Sequence, residues 1–138
     1  MRSRKRVLGV TLLELMAVVA VVAILGLIAV PGYRRHVQRA QRTEAKTALL
    51  LAAANQERFH LQHHRYTADL TLLGFGAAAN APTESGRYVL NVTAATADAF
   101  TIEATAVNEM AADEECRTFA IASTGARWAA PDPSGRCW

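Results

Sequence analysis

The stretch Gly9-Val10-Thr11-Leu12-Leu13-Glu14-Leu15, continued by an unbroken apolar run from Leu15 to Val30, decides how this 138-residue chain is read. With Val10 to Leu13 the run supplies about 20 apolar residues, enough at roughly 1.5 Å each for one helix to cross the roughly 30 Å hydrocarbon core of a bilayer. A single carboxylate, Glu14, interrupts it near its start. An acid in hydrocarbon costs about 2.5 to 3.5 kcal/mol at mid-membrane and less near an end, so Glu14 reads as a functional group that needs a cationic partner. In front of it a basic head, Arg2, Arg4, Lys5 and Arg6, closes at Gly9.

The segment Gly9 to Tyr33, GVTLLELMAVVAVVAILGLIAVPGY, closely resembles the N-terminus of type IV prepilins and their pseudopilin relatives. The resemblance implies that a membrane peptidase cuts on the cytoplasmic side between Gly9 and Val10 and N-methylates Val10. It also implies that Glu14 is the acid of the family motif. Val10 departs from the pattern, which usually has Phe or another bulky residue there; cleavage depends mainly on the Gly. Basic residues before an apolar run also describe a secretory signal peptide or an uncleaved signal anchor. The run is longer than the apolar part of a signal peptide, about 7 to 15 residues, and Glu14 sits where that part would be purely apolar. A plain anchor has no use for Glu14.

The net charge of +3 belongs mostly to the leader: removing Met1 to Gly9 takes away four basic and no acidic residues and leaves −1. The basic balance is therefore no nucleic-acid signature. Lys and Arg beside a first spanning helix stay in the cytoplasm, so the leader predicts an N-in, single-pass protein with everything after Pro31 outside, and the resemblance implies that the membrane is the bacterial inner membrane. Arg34 and Arg35 argue the other way but are outnumbered. Outside the cytoplasm thiols tend to oxidise, and Cys116 and Cys137 allow only one pairing, with free buried thiols as the alternative. A cysteine pair bracketing a C-terminal loop is also what the resemblance implies. The expected organisation is a cleaved leader (1–9), a transmembrane and assembly helix (10–31) and a periplasmic or extracellular head (32–138).

Pro31 removes a helix donor and Gly32 loosens the backbone, which predicts a kink or a local melt but no stop. From Arg34 to Leu61 there is no Gly or Pro, and helix formers dominate. Ala45, Ala48, Leu49, Ala52 and Phe59 recur at three- and four-residue spacings, one core-facing stripe; Arg34, Arg35, Arg39, Arg42 and Lys46 read as a solvated face that also suits acidic lipid heads or neighbouring subunits. His60, His63 and His64 lack a Cys or acid to complete a metal set, so they read as a polar helix end.

Tyr66 to Gly86 is an ordered loop pinned at Leu70, Leu72, Leu73 and Phe75. Strands follow at Tyr88–Val92 and Phe100–Ala106, joined by a hairpin connection over Ala95–Asp98. Asn108 to Glu115 is a polar, acidic surface loop; Phe119 and Ile121 mark a third strand, Ser123-Thr124-Gly125 a turn and Arg127–Ala129 a short fourth strand. A lone helix stripe and one sheet face need each other to bury apolar area, which predicts an α+β roll of a long N-terminal helix on an antiparallel sheet of three to four strands. The resembled family has that architecture. Asn91-Val92-Thr93 matches a glycosylation triplet, by chance in a strand.

No nucleophile elbow, phosphate loop or zinc motif marks an enzyme, and no cofactor is implied. The resemblance implies a pilus subunit, more a minor one of the PilE-like type than the major one, whose partners are other pilin subunits, the prepilin peptidase/N-methyltransferase, an inner-membrane assembly platform and lipid before assembly. A type II secretion pseudopilin is the near alternative. A different class is a recognition module whose head binds DNA or a surface through Arg117, Arg127 and Arg136, with Trp128 and Trp138 as stacking groups; scattered surface charge with Trp128 in the core is the plainer reading.

Overall fold

The computed structural model describes residues 10–138. The leader and Gly9 lie outside them. One helix, α1, spans Leu12–His63, 52 residues. Thr11 starts it: its hydroxyl accepts from the Glu14 amide at 3.2 Å, satisfying one of the donors a helix N-terminus leaves open. Helical backbone runs through Pro31 and Gly32, so no melted turn separates the two stretches, because one missing donor leaves the flanking hydrogen bonds in place. At the far end His64 turns left-handed (φ 54°) while its amide still donates to the His60 carbonyl at 2.8 Å. The chain divides into two compact units between Val37 and Gln38.

In the second unit five antiparallel strands follow in sequence order: β1 (Ala81–Pro82), β2 (Tyr88–Ala95), β3 (Phe100–Ala106), β4 (Thr118–Ala122) and β5 (Arg127–Ala130). The inner face carries Tyr88, Leu90, Phe100, Ile102, Ala104, Phe119 and Ile121. It packs with Ala45, Leu49 and Ala52 of α1, all wholly buried, so the predicted stripe and the predicted strand faces do meet. Ala48 and Phe59 lie at the rim of that core.

The sheet departs from expectation at its edges. β1 is a two-residue strand inside the predicted 66–86 loop, pairing Ala81 with Leu90. β2 runs through Ala95 because a bulge between Val92 and Ala94 absorbs one residue and restores the register; the turn starts at Thr96, whose hydroxyl accepts from the amides of Asp98 and Ala99. In the loop before β1, Leu70–Leu73 forms one 3₁₀ turn capped by Asp69. Side chains three apart eclipse in such a turn, so Leu70 and Leu73 enter the core and Leu72, expected as an anchor, is exposed. The 108–115 segment is not simply a surface loop either: it makes a 3₁₀ turn at Asn108–Ala112, with Met110 and Asp113 buried.

Candidate functional site

Two regions of α1 carry functional side chains, each within its own unit. From Leu12 to Val30 every large apolar side chain is more than half exposed. Thirteen such side chains, each more than half exposed and worth about 1.5 to 3 kcal/mol on full burial, leave upwards of roughly 10 to 20 kcal/mol of burial unrealised among the described residues, so this segment suits a bilayer or other helices around it. The 19-residue stretch is long and apolar enough to cross a membrane. Glu14 projects from its first turn, four residues after Val10.

From Gln38 onward the polar side of α1 holds the head together. Arg42, expected on a solvated face, is buried instead: its Nε donates to Asp113 Oδ2 at 2.7 Å and its Nη2 to Asp113 Oδ1 at 2.8 Å, with the exposed Glu115 at 3.3 Å. This paired fork satisfies the geometry under which a buried ion pair is tolerated. Asp113 Oδ1 also accepts from the amides of Glu115 and Cys116, so one carboxylate fixes both the helix and the start of the disulfide loop. Burial pushes the Asp113 pKa up, but the hydrogen bonds from Arg42 and from the Cys116 and Glu115 amides hold it below the usual carboxylate range. The hydrogen bond to Asp113 raises the Arg42 pKa in turn, against the effect of burial.

Three further side chains tie the long loop to α1. Gln56, wholly buried, donates to the Thr67 carbonyl at 2.6 Å and accepts from the Thr67 amide at 3.1 Å. Asn55 donates to the Leu73 carbonyl at 2.8 Å, and Glu44 accepts from the amide and hydroxyl of Ser85 at 3.0 and 2.6 Å. None of these contacts was legible in the sequence; the one available signal was the acidic run Asp113-Glu114-Glu115 next to Cys116, of a charge to match the helix cations Arg39, Arg42 and Lys46. Cys116 and Cys137 are bonded, with Cα atoms 5.6 Å apart.

Residues 31–120 match the sequence model of the family described as "Type IV minor pilin ComP, DNA uptake sequence receptor". The chain belongs to that family. It is 34% identical over 133 residues to the type IV major pilin protein PilA of Myxococcus xanthus, covering 96% of this chain and 58% of that relative's length. Among solved structures this pilin is similar to a type IV pilin from Shewanella oneidensis: 25% identity, TM-score 0.51, 73% of this chain and 97% of that one. The non-core minor pilin PilV of Neisseria meningitidis shares its fold, with TM-score 0.56 at 21% identity over 74% of this chain and 94% of that one.

The basic and aromatic residues singled out near the pilin's C-terminus do not converge on one spot. Arg136 lines a cleft of about 440 Å³ with Arg39, Arg42, Lys46, Glu115, Ser134 and Cys137. Lys46 lies 5.8 Å from the centroid of Phe119, and burial together with neighbouring Arg42 lowers its pKa. Arg127 instead stacks over Trp138, 5.4 Å from its centroid, and the Trp138 indole donates to the Trp128 carbonyl. Trp138 packs against the core through Phe119, whereas Trp128, whose plainer reading was a core residue, is exposed on β5. Arg117 is exposed as well. At the end of α1, His60 Nε2 meets the Ala97 carbonyl at 3.0 Å and His63 stacks on Phe59. Asn91 of the glycosylation triplet is held in β2, exchanging hydrogen bonds with Asn80.

Proposed function

We propose that this pilin is a minor subunit of a type IV pilus, held in the inner membrane by its apolar helix with the N-terminus cytoplasmic and then drawn into a surface filament. Other pilin subunits are its partners there; before assembly it is a client of the prepilin peptidase/N-methyltransferase and of the inner-membrane assembly platform. Cleavage between Gly9 and Val10 frees an ammonium group at Val10, and N-methylation leaves it charged. In the filament the Glu14 carboxylate pairs with the Val10 ammonium of the adjacent subunit, one charge selecting the axial register of two helices that are otherwise uniformly greasy. Pro31 and Gly32 give the helix a place to bend or extend as it leaves the bilayer. The observation that carries the reading is the exposed apolar segment Leu12–Val30 with Glu14 as its single acid. The Cys116–Cys137 bond favours a pilus over a type II secretion pseudopilin.

The test is Glu14→Ala in cells that assemble the filament: the leader is still removed and the protein still membrane-bound, but it is missing from sheared filaments. Normal incorporation of that variant defeats the pairing. Gly9→Ala should leave the precursor at its full electrophoretic size, and normal shortening means that the cut lies elsewhere.

A second reading is DNA binding by the head, favoured by the cleft that places Arg39, Lys46 and Arg136 together, with Glu115, 3.3 Å from Arg42, as the acid among the described lining residues and Asp132 acting on Lys46 from beside it. The family description names a DNA uptake sequence receptor. Gel shifts with the full chain in detergent, with and without Arg39→Ala, Lys46→Ala and Arg136→Ala, test it. Binding that is uniformly weaker in the triple variant and falls steeply from about 50 to 200 mM salt supports phosphate contacts.

A further inference from the structure

Neither the apolar stem nor the basic cleft uses the outer face of the sheet. The pairs Asn91 with Glu103, Glu103 with Ala120 and Ala120 with Trp128 set these four residues in one row across β2 to β5, on the face turned away from α1. The flanking rows hold Val89, Thr105, Thr118 and Ala130 on one side and Ala94, Thr101 and Ala122 on the other. Glu103 is the single ionisable side chain in the three rows. Ala120 is wholly buried yet lies outside the core cluster that packs with α1. Its pair partner on β5 is Trp128, 41% exposed. Trp128 thus offers a partly exposed indole beside this row. Asn91 is committed to Asn80. Among the described residues the side chains of Thr101, Glu103, Thr105 and Thr118 and the Trp128 Nε1 make no hydrogen bond within the chain, so their capacity is free for a ligand.

We propose that this face binds a neutral saccharide, one sugar ring stacked on Trp128 with its hydroxyls bonded to Glu103 and the Thr118 hydroxyl. A sugar ring presents an apolar C–H face and a rim of hydroxyls, which matches a partly exposed indole bordered by unengaged oxygens. Two strand spacings, about 10 Å, separate the Trp128 and Glu103 backbones, room for one ring and its hydroxyls between the two side chains. The phosphates of a nucleic acid are repelled by the one charge present, and Lys46 sits over Phe119 on the opposite face of the sheet. A protein partner needs about 800 Å² on each side, whereas rows of this width and length offer roughly 200 Å² between their outermost backbones.

The experiment uses the full chain in a detergent without a sugar head group, titrated by calorimetry with cellohexaose, chitohexaose and maltohexaose. Saturable binding of at least one is expected, about tenfold or more weaker in Trp128→Ala. Trp128→Tyr should retain most of it, and Glu103→Gln should weaken it by less than Trp128→Ala does. It should be unchanged from about 50 to 200 mM salt and in the Arg39→Ala, Lys46→Ala, Arg136→Ala variant. Thermal unfolding of each variant separates lost binding from lost folding. No saturable binding of any of the three sugars overturns the proposal, as does full affinity in a folded Trp128→Ala protein. A folded protein that binds single-stranded DNA through Trp128, with a steep salt dependence, overturns it in favour of base stacking.

Discussion

The stem of α1 and its head-bound stretch are built from the same backbone but hold opposite kinds of unfinished business. Leu12–Val30 has apolar side chains left more than half exposed among the described residues, and one acid. Gln38 onward buries Ala45, Leu49 and Ala52 of its apolar stripe and engages the polar side as well, through Arg42, Glu44, Asn55 and Gln56. The first stretch is stabilised by its surroundings and the second by the loop and sheet of its own chain. A substitution in the stem should therefore alter assembly and leave the head's unfolding untouched, while one among the clamps should do the reverse.

The largest effect on the head is expected at Arg42. Arg42→Ala leaves Asp113 buried without its partner, and breaking a buried pair from one side costs about 3 to 5 kcal/mol. Arg42→Met with Asp113→Leu should recover much of that loss, since the penalty comes from the orphaned charge; denaturant unfolding of the full chain in detergent measures both. If the single and double variants prove equally unstable, the carboxylate's bonds to the Glu115 and Cys116 amides matter more than the pair. The same carboxylate sets an acid limit. Its folded pKa is depressed, so its contribution is complete above the ordinary Asp value of about 3.9 and is lost as pH falls through the lower folded value. Midpoints of unfolding should be flat at neutral pH and drop only on the acid side, with a shallower drop in the double variant.

Removal of the Gln56 clamp comes next. Gln56→Ala strips the Thr67 amide and carbonyl of their partners at a buried site, at a cost of about 1 to 3 kcal/mol, and should raise amide exchange from Thr67 to Leu73 before the rest of the head. Uniform loss of protection across all five strands would mean that the loop and sheet open together.

How far each region can be read from the sequence depends on the kind of signal it emits. The stem declares itself because sixteen consecutive apolar residues and one acid are a local pattern, readable without knowing what lies opposite. The helix stripe, the alternation in Phe100–Ala106 and the cysteine pair are also local, and each meets its predicted counterpart. The clamps are not local: Arg42 and Asp113 are 71 residues apart, and five other cations between Arg34 and Leu61 offer the same charge. Their burial depends on the loop's path, which composition does not encode. Leu72 and Trp128 depart from expectation for a related reason, since hydrophobicity alone does not say which side of a 3₁₀ turn or of an edge strand faces the core.

The smallest expected effect is at Glu44, and it sharpens the contrast because Glu44 is half-exposed. Burial pushes its pKa up, but the Ser85 hydroxyl and amide, which donate to its two oxygens, hold it below the usual range. Solvent competes for those bonds, so Glu44→Ala should cost no more than about 1 kcal/mol, on the order of 4 to 8 °C for a head of this size. Glu44→Gln keeps an acceptor for Ser85 and should cost less still. A loss at Glu44 as large as that at Arg42 would show that the tie to Ser85, and not the buried ion pair, governs how the head holds to its helix.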